Sequence, residues 1–133
     1  MLGVVSKAMA EFQAALEEIG LEDQVTTFTV SDFSRTLTSN GNGTDHAWGG
    51  NVMVMGGKVK GKEIYGDYPS LALENDIMLK GGVVIPQIST DEYFAELALW
   101  YGVPKSDLVM LFPNIGNFYN TMSAAPPLGF MNV

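Results

Sequence analysis

Apolar residues recur at helical spacing near the start of the chain: Val5, Ala8, Met9, Phe12, Ala15, Leu16 and Ile19, with Glu11, Glu17 and Glu18 on the other face. This pattern predicts an amphipathic helix, and Gly20 is placed to end it, because glycine takes the left-handed conformation that closes a last turn. Residues 25–30 are rich in β-branched side chains and follow a short acidic turn, so they read as a central strand on which the helix packs back. They run into a polar stretch, residues 31–48, dense in Ser, Asp, Arg, Thr, Asn and Gly, which reads as a long loop. A strand fixes the root of such a loop while the loop presents its polar groups, so an inherited site is expected here.

Beyond it, residues 52–55 and 58–60 flank Gly56-Gly57, and residues 77–79 and 83–85 flank Gly81-Gly82. Paired glycines suit primed turns because both can take positive φ, so each set predicts a hairpin, with residues 65–73 as irregular connection. Ser89-Thr90-Asp91-Glu92 is a capping box, and the helix it opens, carrying Tyr93, Phe94, Trp100 and Tyr101 as expected core, stops at Gly102 before Pro104. A second short helix is predicted from about Ser106 to Phe112, ended by Pro113. Residues 114–133 have Pro126-Pro127 and no apolar period, so they are either a tail laid over the core or a segment whose partner is missing. Together these elements predict an α/β fold: a mixed sheet with antiparallel hairpins, one N-terminal helix and two C-terminal helices, in a single domain spanning residues 1–133.

Composition narrows the function classes. A chain of 133 residues fits one domain, and 47% apolar residues are ample for a core. Fifteen acids against seven bases leave a net charge of −8, the wrong sign for gripping a phosphate backbone, so no nucleic-acid partner is expected. The absence of cysteine excludes a disulfide framework, a zinc–thiolate site and a thiol nucleophile. Residues 1–10 carry no apolar run long enough for a signal-peptide core, and no stretch approaches the roughly 18 apolar residues of a membrane span. Eight methionines and fifteen glycines point to forgiving packing in the core or at an interface.

Candidate chemistry gathers in the polar stretch. Asp45 and His46, the chain's only histidine, offer a carboxylate and an imidazole from one short span. The pair either ligates a divalent metal completed by other segments or forms a hydrogen-bonded turn. Asp32, at the end of the first strand, is either a ligand or base in a crevice or a turn cap. Arg35 either holds an anion or pairs with Asp32, and Asn40, within Ser39-Asn40-Gly41-Asn42-Gly43, belongs to a flexible loop or an anion-binding nest. Trp48 either walls a pocket or packs beside Gly49-Gly50. Ser31, Ser34 and Thr36 lie near His46 in sequence but without a nucleophile-elbow pattern, so a hydrolytic triad is unsupported.

Taken together, VTTFTVSDFSRTLTSNGNGTDHAWGG, VMGGKVKGKEIYG, YPSLAL and FAELALWYGVPKSDLVMLFPNIGNF closely resemble the C-terminal part of the bacterial family domain of unknown function 1501, from the Ser6-Lys7-Ala8-Met9 helix to about Tyr119. The resemblance implies a longer parent with a twin-arginine export signal, hence periplasmic, and a place in the alkaline phosphatase and sulfatase superfamily. It implies that Asp45-His46 is part of a zinc, manganese or calcium site, with Asp32 and Arg35 as neighbours and a small anionic phosphate or sulfate ester as ligand. The superfamily's nucleophile and several metal ligands come from earlier in the chain than this sequence begins. The expectation is therefore a truncated C-terminal portion, non-catalytic alone, whose uncovered strand edges and apolar face make it a homo-oligomer, with residues 114–133 as a tail or exchanged segment. The alternative is a binding or structural module of an exported protein, with residues 31–48 as its recognition surface.

Overall fold

The structure, a computed structural model, describes residues 2–132. Met1 and Val133, the outer ends of the predicted domain and tail, lie outside the described residues. In chain order the elements are α1 (Leu2–Glu18), β1 (Thr26–Phe28), β2 (Ser34–Ser39), β3 (Thr44–Ala47), β4 (Val54–Gly56), β5 (Met78–Leu79), β6 (Val83–Val84), α2 (Thr90–Tyr101) and α3 (Leu108–Leu111). The class is α/β, with one N-terminal helix and two C-terminal helices. The strands form three two-stranded antiparallel sheets, β1 with β4, β2 with β3 and β5 with β6.

Several local expectations are met and several long-range ones are corrected. The helix α1 forms, and Gly20 ends it at φ 70°. It does not pack its apolar stripe on a sheet: Leu16 is buried while Val5, Phe12 and Ile19 are exposed. The strand after it is short and pairs with β4 alone, Thr27 opposite Met55, so residues 25–30 are not a central strand. This pairing takes residues 54–56 away from the hairpin expected around Gly56-Gly57. Val59 instead bridges Met131, and the amides of Lys60 and Asn132 donate to the carbonyls of Phe130 (2.8 Å) and Lys58 (2.7 Å). The hairpin of β5 and β6 does form, over a three-residue turn in which Gly81 and Gly82 both have positive φ, 83° and 79°.

The interior is organised by α2. Its capping box is complete: Ser89 Oγ accepts from the Glu92 amide (3.1 Å) and Glu92 Oε2 accepts from the Ser89 amide (3.0 Å), and Gly102 closes the helix at φ 102°. One side of α2 sends Tyr93 and Leu97 against Phe130 and Met131, and the other sends Ala95 against Leu108, Ile115 and Tyr119. Tyr93 is core as expected, its buried hydroxyl has no hydrogen-bond partner among the described residues, and burial pushes its pKa up to about 12. Tyr101 is 83% exposed, a correction to its reading as core, because it lies at the helix end beyond both clusters.

The segment from Asn114 onward lies over this core, and a buried carboxylate holds it there. Glu96, on α2 and 1% exposed, accepts from the amides of Leu128 and Gly129 at Oε2 (3.1 Å each) and of Met131 at Oε1 (3.0 Å). Lys105 adds a second tie, its ammonium donating to the carbonyls of Ser123 and of Ala125 (3.1 Å). A carboxylate is the acceptor that suits three converging amides, since its two oxygens take them all as charge-assisted bonds. Glu96→Gln is expected to lower unfolding stability by about 2 kcal/mol, and Glu96→Ala by about 3 kcal/mol or more because three amides, that of buried Met131 among them, lose their acceptor, both read from urea denaturation.

Candidate functional site

The polar stretch that reads as a loop is a hairpin. Ser34-Arg35-Thr36-Leu37-Thr38-Ser39 alternates enough to extend, and Asn40-Gly41 followed by Asn42-Gly43 supplies the turn, Gly41 and Gly43 sitting at φ 91° and 139°. The Asn40 amide donates to the Gly43 carbonyl (3.0 Å) and closes it. Ser34 faces Ala47 and Arg35 faces His46, and a bulge then shifts the register so that Ser39 faces Thr44. A second hairpin braces the first: the Leu37 amide donates to the Gly82 carbonyl (2.8 Å) and Thr38 Oγ1 to the Gly81 carbonyl (2.6 Å). A Cβ on Gly82 would sit 2.8 Å from the Thr38 amide nitrogen, so only glycine permits this approach.

A strand turns successive side chains to opposite faces, and that rule separates the candidate residues. Phe33, Arg35 and His46 share one face. The imidazole stacks on the Phe33 ring with centroids 3.8 Å apart and planes 17° from parallel, and the Arg35 guanidinium lies 5.3 Å from the centre of the same ring. Arg35 Nη1 also donates to the Thr44 carbonyl (2.9 Å). On the opposite face, Asp45 Oδ1 accepts from Asn40 Nδ2 (2.6 Å), and the Asp45 amide donates to the buried Thr36 hydroxyl (3.1 Å).

Asp45 and His46 are therefore adjacent in sequence and divergent in space. They do not fit as two ligands of one ion, and among the described residues no group of three or more His, Asp or Glu side chains is arranged to hold a metal. Asp32 stands exposed in a bend and does not pair with Arg35, whose donor goes to the Thr44 carbonyl. Arg35 and Asn40 are not brought together, since the Asn40 amide is bound to Asp45. Trp48 is 63% exposed and lies outside the apolar groove described below. The Thr36 and Ser31 hydroxyls donate to the Thr38 and Phe33 carbonyls (2.8 Å each), so neither is paired with a base. Sequence reasoning missed Phe33, whose signal was its spacing two residues before Arg35. A separate apolar groove of about 370 Å³, lined by Phe28, Phe94, Leu97 and Trp100, lies between β1 and α2 and carries none of the candidate residues.

A family model described as a protein of unknown function, DUF1501, matches residues 2–80. The chain belongs to the DUF1501 family. No curated protein and no solved structure matches it. The DUF1501 match takes in α1 and the candidate hairpin and ends before α2, although the resembling motifs run on to about Tyr119. Within residues 2–80 only Leu16 and Thr36 are buried, so the part of the chain that defines the family holds almost none of its interior. No helix among the described residues is long and apolar enough to cross a membrane.

The ring stack gives the hairpin a direct spectroscopic handle. In Phe33→Ala the His46 ring protons are expected to lose a ring-current shift and move toward random-coil positions in a proton–carbon NMR spectrum, while the amide pattern of α2 is unchanged.

Proposed function

We propose that this chain is a non-catalytic binding module, derived from the C-terminal portion of a larger exported protein of the alkaline phosphatase and sulfatase superfamily, and that it holds a small phosphate or sulfate ester. The observation that carries this reading is the Arg35–His46 pair, cross-strand partners in the β2–β3 ladder whose side chains both lie against the Phe33 ring at an exposed face. A planar guanidinium is suited to bidentate contact with a tetrahedral anion, and the ring beneath it limits the conformations it must lose on binding. Asp45, the nearest carboxylate in sequence, is turned to the other face and occupied by Asn40, so its charge is kept from the ligand.

A second reading makes the chain the back part of a metal-dependent ester hydrolase in which His46 alone supplies one ligand of a zinc, manganese or calcium ion completed from outside this chain. The exposure of the imidazole favours it, and the divergence of Asp45 from His46 weighs against it. Self-association belongs to the proposal as well. The chain exposes 9101 Å², whereas a compact monomer of 14.4 kDa is expected to expose about 6,800 Å². That excess is of the size an interface covers.

Titration with inorganic phosphate and with sulfate, followed by NMR, tests the anion site. Shifts centred on Arg35 and His46 with millimolar affinity, lost in Arg35→Ala and retained in Asp45→Ala, are expected. Equal shifts in Arg35→Ala would contradict the reading. Zinc binding by calorimetry that is lost in His46→Ala, or turnover of a chromogenic ester by the pure chain, would favour the hydrolase reading instead.

A further inference from the structure

The sequence contains two Asn-Gly pairs, Asn40-Gly41 and Asn42-Gly43, and both stand in the exposed turn that joins β2 to β3. An asparagine followed by glycine can modify itself, because the next residue's backbone nitrogen reaches the side-chain carbonyl carbon and glycine has no Cβ to obstruct the approach. Among the described residues nothing lies within 4 Å of a Cβ placed on either Gly41 or Gly43, so the turn has room to bend. By sequence the two pairs are equivalent. Their hydrogen bonds set them apart.

Asn40 is held on both polar atoms of its side chain, and its attacking neighbour is held as well. Its Nδ2 donates to Asp45 Oδ1 (2.6 Å), its Oδ1 accepts from the Asn42 amide (3.0 Å), and the Gly41 amide donates to Ser39 Oγ (3.1 Å). The Asn40 carboxamide must give up a bond to a charged acceptor before it can turn its carbon toward the Gly41 nitrogen. Asp45 also sets a negative charge beside a carbonyl that would itself become negative under attack. None of these ties reaches the Asn42 carboxamide or the Gly43 amide.

We propose that Asn42 is a site of spontaneous deamidation and isomerisation in the folded chain, and that Asp45, through Asn40, confines the reaction to that position. The Gly43 nitrogen loses its proton to solvent and forms a bond to Asn42 Cγ. The bond from Cγ to Nδ2 then breaks, and ammonia leaves with a proton from water. The resulting five-membered imide takes up one water: opening at Cγ leaves aspartate, and opening at the backbone carbonyl leaves isoaspartate, with the main chain running through Cβ. Nothing is oxidised or reduced, since one carboxamide and one water become one carboxylate and one ammonium ion. The product adds a negative charge to a chain of net charge −8. As isoaspartate it also lengthens the backbone between Asn40 and Gly43, whose amide and carbonyl close the turn.

Incubation of the full chain in warm, mildly alkaline buffer, followed by peptide mass spectrometry and enzymatic methylation of isoaspartate, tests this. In the folded chain Asn42 is expected to convert about tenfold faster than Asn40, the worth of one hydrogen bond to a charged group, and in urea the two are expected to convert alike. Asp45→Ala is expected to raise the Asn40 rate about tenfold and leave the Asn42 rate unchanged. Asn42→Gln is expected to remove the acidic form that accumulates on ion exchange. Asn40 converting as fast as Asn42 in the folded chain, or Asn42 converting only in urea, would overturn the site. Asp45→Ala that leaves Asn40 slow, or speeds both positions alike, would overturn the part given to Asp45 while leaving Asn42 as the site.

Discussion

The carboxylate of Glu96 is the constraint from which the rest of the structure follows. It is buried on α2, and it accepts from the backbone amides of Leu128, Gly129 and Met131, of which Met131 is itself buried. Such bonds to a charged group contribute on the order of 1.5–3 kcal/mol each, while an unpaired buried charge would cost several kcal/mol, so Glu96 and the tail are each tolerable only in the presence of the other. Once the tail is placed, Phe130 and Met131 complete the cluster with Tyr93 and Leu97, and Met131 pins Val59 by a single bridge. The segment of residues 58–60 thus owes its position to the last residues of the chain.

This arrangement divides the molecule by how its parts are held. Residues around α2 are fixed by side-chain burial, on both faces of the helix. The β2–β3 and β5–β6 hairpins are instead joined through backbone bonds at Leu37, Gly49 and Gly82, with Val84 and Thr36 as their buried side chains. The helix α1 has a single buried residue, Leu16. More large apolar side chains are exposed than buried among the described residues. The segment shared with the DUF1501 family is the loosely held part, and it carries both the Arg35–His46 face and the exposed apolar side chains of α1. Recognition at a surface fits such a segment better than catalysis does, because catalytic geometry needs groups held by packed neighbours.

What the sequence revealed was local. The apolar period of α1, the capping box from Ser89 to Glu92, the glycine stop at Gly102 and the Gly81-Gly82 turn all depend on residues a few positions apart, and all four formed. The partners of β1 and Val59 were not legible, since each lies more than twenty residues away and the alternation of short strands does not name a partner. The role of Glu96 was hidden for the same reason, because a glutamate within an amphipathic helix reads as a solvated position until its amide donors arrive from residues 128–131. In the candidate site the polar composition of residues 31–48 outweighed the two Asn-Gly turn signals, so a hairpin read as a loop. That single misassignment also changed the chemistry. In a loop Asp45 and His46 can converge on one ion, whereas on a strand they face apart.

Native-state hydrogen exchange measures this division of the molecule directly. If Glu96 ties the tail into the interior, the amides of Leu128, Gly129 and Met131 will exchange as slowly as the middle of α2, at the rate of global unfolding, while those of β1 and the β2–β3 hairpin open at lower free energy. Tail amides that exchange as fast as an exposed strand while α2 stays protected would contradict the account.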